Sequence, residues 1–220
     1  MGLPVLLCTL YSVDGGAAVR TRIFIDFWNF QLGWKERAPA GVNCDWTLLP
    51  PTLVTAAGSL FVNVGQAAAP LQLEETLLYA SVDPAAEGNL TKWLKNFIEP
   101  KPSWRVHIRE RKPQPKSLHC RSCSTVTDKC PACGTPFVGK PEKGIDSRIV
   151  TDLLSLAWQD AYDVAILVSS DADFIPAVER IQEKGLKVVN AGWHNKGFDL
   201  KGACWANFSL DALIPGMRRP

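Results

Sequence analysis

An α/β fold, a doubly wound layer in which strands and helices alternate around a mostly parallel sheet, is what this sequence predicts. Three observations lead there. Strand-like and helix-like runs follow one another with short connections. Residues 164–168, Val-Ala-Ile-Leu-Val, hold no polar side chain, as a strand covered on both faces requires. Acids stand where such runs end: Asp26 after one, Asp171 and Asp173 after another. Open α/β sheets bind their ligands at the carboxyl ends of their strands.

Taken in order, residues 1–20 carry an apolar run and then Asp14-Gly15-Gly16, a turn signal. Residues 22–30 are β-rich, so the first strand is expected to end at Asp26, with Asn29 in the turn that follows. A helix begins near Pro51, since proline is tolerated in a first helical turn. Residues 72–82 read as the second strand, stopped by Asp83-Pro84. Asn89 is expected to cap a helix over 90–98, whose Leu90, Trp93, Leu94 and Phe97 share a face. Pro100 and Pro102 end it, and residues 104–109 alternate apolar with basic as a half-exposed third strand does. A helix over 174–184 stopped by Gly185, a strand over 186–190 and a last short helix over 207–214 complete the expectation. No internal repeat is evident.

The helix before the apolar strand carries the first informative acids. On a wheel starting at Ile145, the residues Ile149, Leu153, Leu156 and Asp160 fall at roughly 40°, 80°, 20° and 60°, with Asp152 near about −20° inside the stripe. A carboxylate among leucines and isoleucines needs a partner. For Asp152 a salt bridge or inter-helix hydrogen bond would suffice. Asp146, at the edge of the stripe, also suits a first-turn acid on the helix dipole. Ser170 or Asp171 suits a helix N-cap, although one acid would do for that.

Two hundred and twenty residues with 46% hydrophobic content predict one domain with a small insertion: residues 1–111 and 141–220 as its two parts, residues 112–140 inserted. Net charge is +2, but residues 101–148 hold eleven Lys or Arg, Arg148 among them, against Glu110, Asp128, Glu142 and Asp146. Such a surplus suits a phosphate-facing surface or a solvated loop. The apolar run at 3–10 is too short for a membrane span and lacks a basic lead, so a soluble cytoplasmic protein without a membrane partner is expected.

Seven cysteines include Cys120-x-x-Cys123 and, six residues on, Cys130-x-x-Cys133. Two such knuckles suit a closed tetrahedral Zn²⁺ site with a structural role, in keeping with a reducing compartment. Lys116, Arg121 and Lys129 around it allow a nucleic-acid grip; a plain loop staple is the alternative. His119 reads as surface, and Cys8, Cys44 and Cys204 as small core residues.

In a parallel sheet with right-handed crossovers, Asp26, Asp146, Asp171 and Asp173 can converge. Carboxylates so gathered would take up protons unless a cation compensates, and oxygen donors select Mg²⁺ or Mn²⁺. One ion, or two, could activate water and stabilise the leaving oxygen of a phosphodiester.

Ile25-Asp26-x-x-Asn29, Lys143-Gly144-Ile145-Asp146 and Ser169-Ser170-Asp171-Ala172-Asp173-Phe174 resemble the three signature motifs of the NYN domain, within the PIN-like nuclease superfamily, over residues 22–192. The resemblance implies a Rossmann-like three-layer α/β/α fold and metal-dependent hydrolysis of RNA. It implies that Asp26, Asp146, Asp171 and Asp173 hold Mg²⁺ or Mn²⁺ or its waters. Asn29, Lys143, Ser169 and Ser170, with the basic Arg148, would meet the substrate, and Asp152 would act on the acids from behind. The four-cysteine insertion departs from the family's pattern, so substrate presentation does not carry over.

Other readings fit less well. A haloacid-dehalogenase-type phosphatase needs an acid where Trp28 stands, and a topoisomerase-primase-type site needs a Glu on the first strand. No P-loop or Gly-x-Gly-x-x-Gly motif is present. The rival from another class is an inactive NYN-fold module that binds RNA through the zinc ribbon and basic insertion. RNA against DNA, base preference and homo-oligomer formation stay open. Among eight tryptophans, Trp28, Trp34 and Trp193 are stacking candidates, with buried core the better expectation for most.

Overall fold

The computed structural model describes residues 18–63 and 70–219. The apolar run at 3–10, Cys8 and the turn at 14–16 lie outside the described residues. Six strands form the central sheet: β1 (Val19–Asp26), β2 (Leu71–Val82), β3 (Trp104–Glu110), β4 (Val164–Val168), β5 (Lys187–Gly192) and β6 (Ala206–Ser209). All pairings are parallel, in the order β6-β5-β4-β1-β2-β3. The chain therefore turns away from β1 in one direction toward β2 and β3, and from β4 in the other. Ligand crevices form at such a switch point, outside the carboxyl ends of the two strands.

Side chains alternate across this sheet and build two cores. Ile23 and Ile25 of β1 face one side, with Leu53 and Ala57 of α2 (Leu49–Asn63) and Phe30 and Trp34 of α1 (Phe27–Arg37). Phe24 faces the other, against Ile149 and Leu153 of α4 (Ile145–Trp158) and Val178 and Ile181 of α5 (Ile175–Glu183). The result is the expected three-layer α/β/α arrangement. All five β4 residues are buried, as their composition requires. Gly33 is needed where α1 meets the segment after β5: a Cβ there would lie 2.0 Å from Nε1 of Trp193.

Several local expectations need correction. Asn29 lies within the first turn of α1, not in an irregular turn, because Asp26 caps that helix directly by accepting from the Asn29 N–H at 3.2 Å. The third helix begins at Gly88 as α3 (Gly88–Trp93) and continues as a π turn over Leu94–Ile98; Asn89 does not cap it. Asp160 stands outside α4, with positive φ and an exposed side chain, so the buried stripe is Ile145, Ile149, Leu153 and Ala157. The expected last helix over 207–214 is instead β6, a 3₁₀ turn at Asp211–Leu213 and α7 (Ile214–Met217). Pairing with β5 decided that segment, and helical periodicity does not register an edge strand this short. A further helix, α6 (Phe198–Ala203), went unread.

Between β3 and α4 lie four two-residue strands forming two small antiparallel sheets. The segment is latched to the sheet edge. Lys140 pairs with Asp83 at 2.6 Å and Arg111 with Glu87 at 2.6 Å. Its cysteines reveal a small repeat after all, Cys-x-x-Cys-[Ser/Gly]-Thr. In the first copy Cys120 N donates to Thr125 O at 2.9 Å and Ser124 N to Cys120 O at 2.9 Å. In the second, Cys130 N donates to Thr135 O at 2.9 Å and Gly134 N to Cys130 O at 2.8 Å. Ser124 and Gly134 both have positive φ.

Candidate active site

The switch point gathers the expected acids through one hydroxyl. Ser169, directly after β4, is 2% exposed; its Oγ donates to Asp26 Oδ2 at 3.2 Å and accepts from the Asp171 N–H at 3.2 Å. Asp171 Oδ1 in turn accepts from the Asp173 N–H at 3.0 Å, so Asp171 caps the short turn Ala172–Phe174. The C-terminal tips of β1 and β4 are thereby tied together across the sheet. Ser169 is consumed as this tie and does not face a solvent path, whereas Ser170 Oγ is shielded without a hydrogen-bond partner.

Electrostatics extends the cluster to α4. Burial pushes the Asp26 carboxyl from 3.8 up to about 6; hydrogen bonds from Asn29 and Ser169 oppose this, and the charges of Asp146 and Glu142 add to it. Asp146 is raised too, first by burial and then by repulsion from Asp171, Glu142 and Asp173. Asp146 is therefore the link, acting on Asp26 and acted on by Asp171 and Asp173, and Glu142 bears on both Asp26 and Asp146. Glu142 was visible in the sequence only as one of four acids in a basic stretch; it stands just before Gly144, whose φ of 78° turns the chain into α4, and from there its charge acts on Asp26 and Asp146.

Asn190 was also missed. It lies fully buried in β5, and its Nδ2 donates to the carbonyls of Leu167 at 3.2 Å and Ser169 at 2.9 Å. The one legible signal was an amide inside the apolar run Val188-Val189-Asn190-Ala191. By holding the backbone at the end of β4, it fixes where the Ser169 hydroxyl points.

Other expected residues lie elsewhere. Asp152 faces away from the acids: its Oδ2 accepts from the Tyr79 hydroxyl at 3.0 Å and from Arg148 Nε at 2.8 Å, with His107 Nε2 at 3.5 Å. Lys143 is exposed and donates to Gln114 Oε1 at 3.1 Å, at the base of the insertion. Trp34 and Trp193 are core, 2% and 1% exposed. Trp28 remains partly open, with its Nε1 donating to Ser81 O at 2.6 Å and the Arg111 guanidinium 5.5 Å from its ring centroid.

Both metal expectations meet the same geometric finding. Among the described residues, no three His, Cys, Asp or Glu side chains close on a common ion position. For the acids, the donor chemistry still fits a hard cation, since Mg²⁺ keeps several waters and takes only one or two carboxylates directly. For the cysteines, each pair is formed. Hydrogen bonding with Thr125 and with Cys120 lowers Cys123 to about 7, and Thr135 and Cys130 lower Cys133 in the same way. The two pairs do not meet. Cys44 and Cys204 are buried, and burial pushes each thiol up to about 12.

No helix among the described residues is long and apolar enough to cross a membrane. Comparison with known proteins adds three findings. Uncharacterized protein y4oD of Sinorhizobium fredii is 43% identical over 53 residues, covering 24% of this chain and 25% of that protein, so the match spans about a quarter of the relative. A crystal structure of a protein of unknown function from Vibrio parahaemolyticus is similar in fold, with a TM-score of 0.52 and 18% identity over 94% of this chain and 98% of that one. The family model of the NYN domain matches residues 113–210, a span that takes in Asp146, Asp171 and Asp173 but leaves Asp26 to the strand that the fold sets beside β4. Residues 113–210 are thus similar to the NYN domain, which falls within the PIN-like nuclease superfamily.

Proposed function

We propose that this protein is a metal-dependent ribonuclease, an endonuclease that hydrolyses RNA phosphodiesters at the switch point between β1 and β4. The observation that carries the reading is the Ser169 tie between Asp26 and Asp171, with Asp146 close enough to raise the affinity of Asp26 for protons. Asp26, Asp146, Asp171 and Asp173 would hold Mg²⁺ or Mn²⁺, in part through its waters, with Glu142 alongside. Bound there, the ion supplies a water acidic enough to attack and charge to offset the leaving oxygen.

The chain's own residues do the positioning. Ser169 and the Asn29 N–H fix both oxygens of Asp26, and Asn190 fixes Ser169. With no cation bound, burial holds Asp26 near 6, so it is ionised above that pH and protonated below it, and a cation would have to compete with that proton. Asn29, Lys143, Ser170 and Arg148 would meet the RNA strand, Ser170 once its shielded hydroxyl is uncovered, and Asp152 would act through Arg148, with which it pairs. The four cysteines of residues 112–140 would take a structural Zn²⁺, which draws the two knuckles together, inserted between the halves 1–111 and 141–220. Free cysteines of this kind suit a reducing cytoplasm.

Labelled single-stranded RNA incubated with Mn²⁺ or Mg²⁺ tests the reading. Internal cleavage, abolished by chelation and by Asp171→Asn, supports it. The finding that no three acids converge favours a second reading, an inactive RNA-binding module. Tight binding without cleavage in any divalent metal would establish that one.

A further inference from the structure

We infer that the hollow between β3 and the start of α4 is a phosphate site for the RNA strand, set to one side of the acids; this rests on the ribonuclease reading above. The hollow has a volume of about 330 Å³ and is lined by His107, Arg109, Gly144 and Arg148 among others. That is within the roughly 300–1,000 Å³ range of small-ligand pockets. A second hollow of about 390 Å³ continues from it past Arg109 to Lys112, Gln114 and Lys143. Together they make a basic trough along the sheet's β3 edge.

Arg109 is its defining residue. Among the described residues its side chain makes no hydrogen bond or ion pair, and it is exposed. Its guanidinium lies over Gly144 at the first turn of the fourteen-residue α4, close enough that a Cβ there would stand 3.0 Å from Cζ and the arginine would have to shift. Arg148 forms the opposite wall, anchored to Asp152, which Tyr79 also holds. His107 is stacked on Tyr79 with ring centroids 4.9 Å apart. Two guanidinium forks around one hollow match the oxygens of a phosphate. The opposing charges are Asp152 here and Glu110 in the continuing hollow, and Arg109, Arg148, Lys112 and Lys143 outnumber them.

The placement relative to the acids gives the site its use. Asp146 and Arg148 leave α4 on opposite sides of its buried stripe, one toward Asp26 and Asp171, the other toward β3. β3 lies two strands from β1, roughly 10 Å along the sheet. A strand with its cut bond at the acids would therefore lay a neighbouring or terminal phosphate over Arg109. The chemistry is that of a phosphate ester; whether it is an internal diester or a terminal monoester is for experiment to decide.

Binding of a short single-stranded RNA, read by fluorescence anisotropy in EDTA so that nothing is cut, tests the site. Arg109→Gln should weaken binding roughly tenfold, the scale of one lost charge-assisted contact. Arg180→Gln, which removes the same charge from α5, should leave binding unchanged. Loss confined to 5′-phosphorylated RNA assigns the site to a terminal phosphate, and equal loss on 5′-hydroxyl RNA assigns it to the backbone; either supports the site. Arg109→Gln and Arg180→Gln variants that bind alike overturn it. Because this readout needs no turnover, an Arg109 effect in a protein that cleaves nothing would retire the ribonuclease reading and leave the phosphate site standing.

Discussion

Replacing Asp26 by Asn should make the folded protein more stable while removing the proposed ribonuclease activity. The Asp26 carboxyl is held at about 6 in the fold against an ordinary 3.8, mainly by burial. Between those values the folded chain binds a proton more tightly than the unfolded chain, so stability is highest below 3.8 and falls as pH rises through about 6. Above pH 6 the whole cost is incurred: the gap between 3.8 and about 6, at about 1.36 kcal/mol per pH unit, comes to about 3 kcal/mol. Asn carries no charge to desolvate and keeps an oxygen for the Asn29 N–H. Urea unfolding at pH 7.5 should therefore show the variant more stable by up to about 3 kcal/mol, with the gap closing near pH 4. Adding Mn²⁺ should raise the stability of the wild type more than that of the variant, because an ion bound only to the fold stabilises by mass action. An Asn variant equal to or weaker than wild type at pH 7.5, or a gap indifferent to pH, would refute the claim that Asp26 is held ionised against its surroundings.

Three further outcomes are expected. Ser169→Ala strips Asp26 of its side-chain donor and leaves the Asp171 N–H without its acceptor, so stability should fall by about 1–3 kcal/mol and the pH at which cleavage appears should move upward from about 6, read from a rate profile. Gly33→Ala pushes a methyl to within 2.0 Å of the Trp193 indole, and overpacking of this kind should cost about 1–3 kcal/mol in a thermal melt with no change in metal binding. Purified protein should carry one zinc per chain by elemental analysis and Cys133→Ser should lose it; a wild type free of zinc at neutral pH would end the structural-zinc proposal.

Local structure was legible in the sequence wherever it depended on neighbours along the chain. Val164–Val168 declared a strand buried on both faces, the wheel of α4 placed Ile145, Ile149 and Leu153 inward, and the motifs named Asp26, Asp146, Asp171 and Asp173. The spacing of the cysteines likewise announced two knuckles, each closed by bonds within six residues. What the sequence could not supply was anything set by pairing between distant segments. Ser169 looked like one more hydroxyl on a phosphate path; its partner Asp26 is 143 residues away, and only the parallel pairing of β1 with β4 makes it the tie between two acids. Asp152 fell in the right stripe for the acids, yet β2 and β3 offer it Tyr79 and His107, and it turns to them. Residues 206–209 became a strand because β5 was there to pair with, and Glu142 and Asn190 acquired roles from the edge they face. Local propensity and periodicity are properties of a segment, whereas the environment of a charge or hydroxyl belongs to whichever strand the sheet sets beside it.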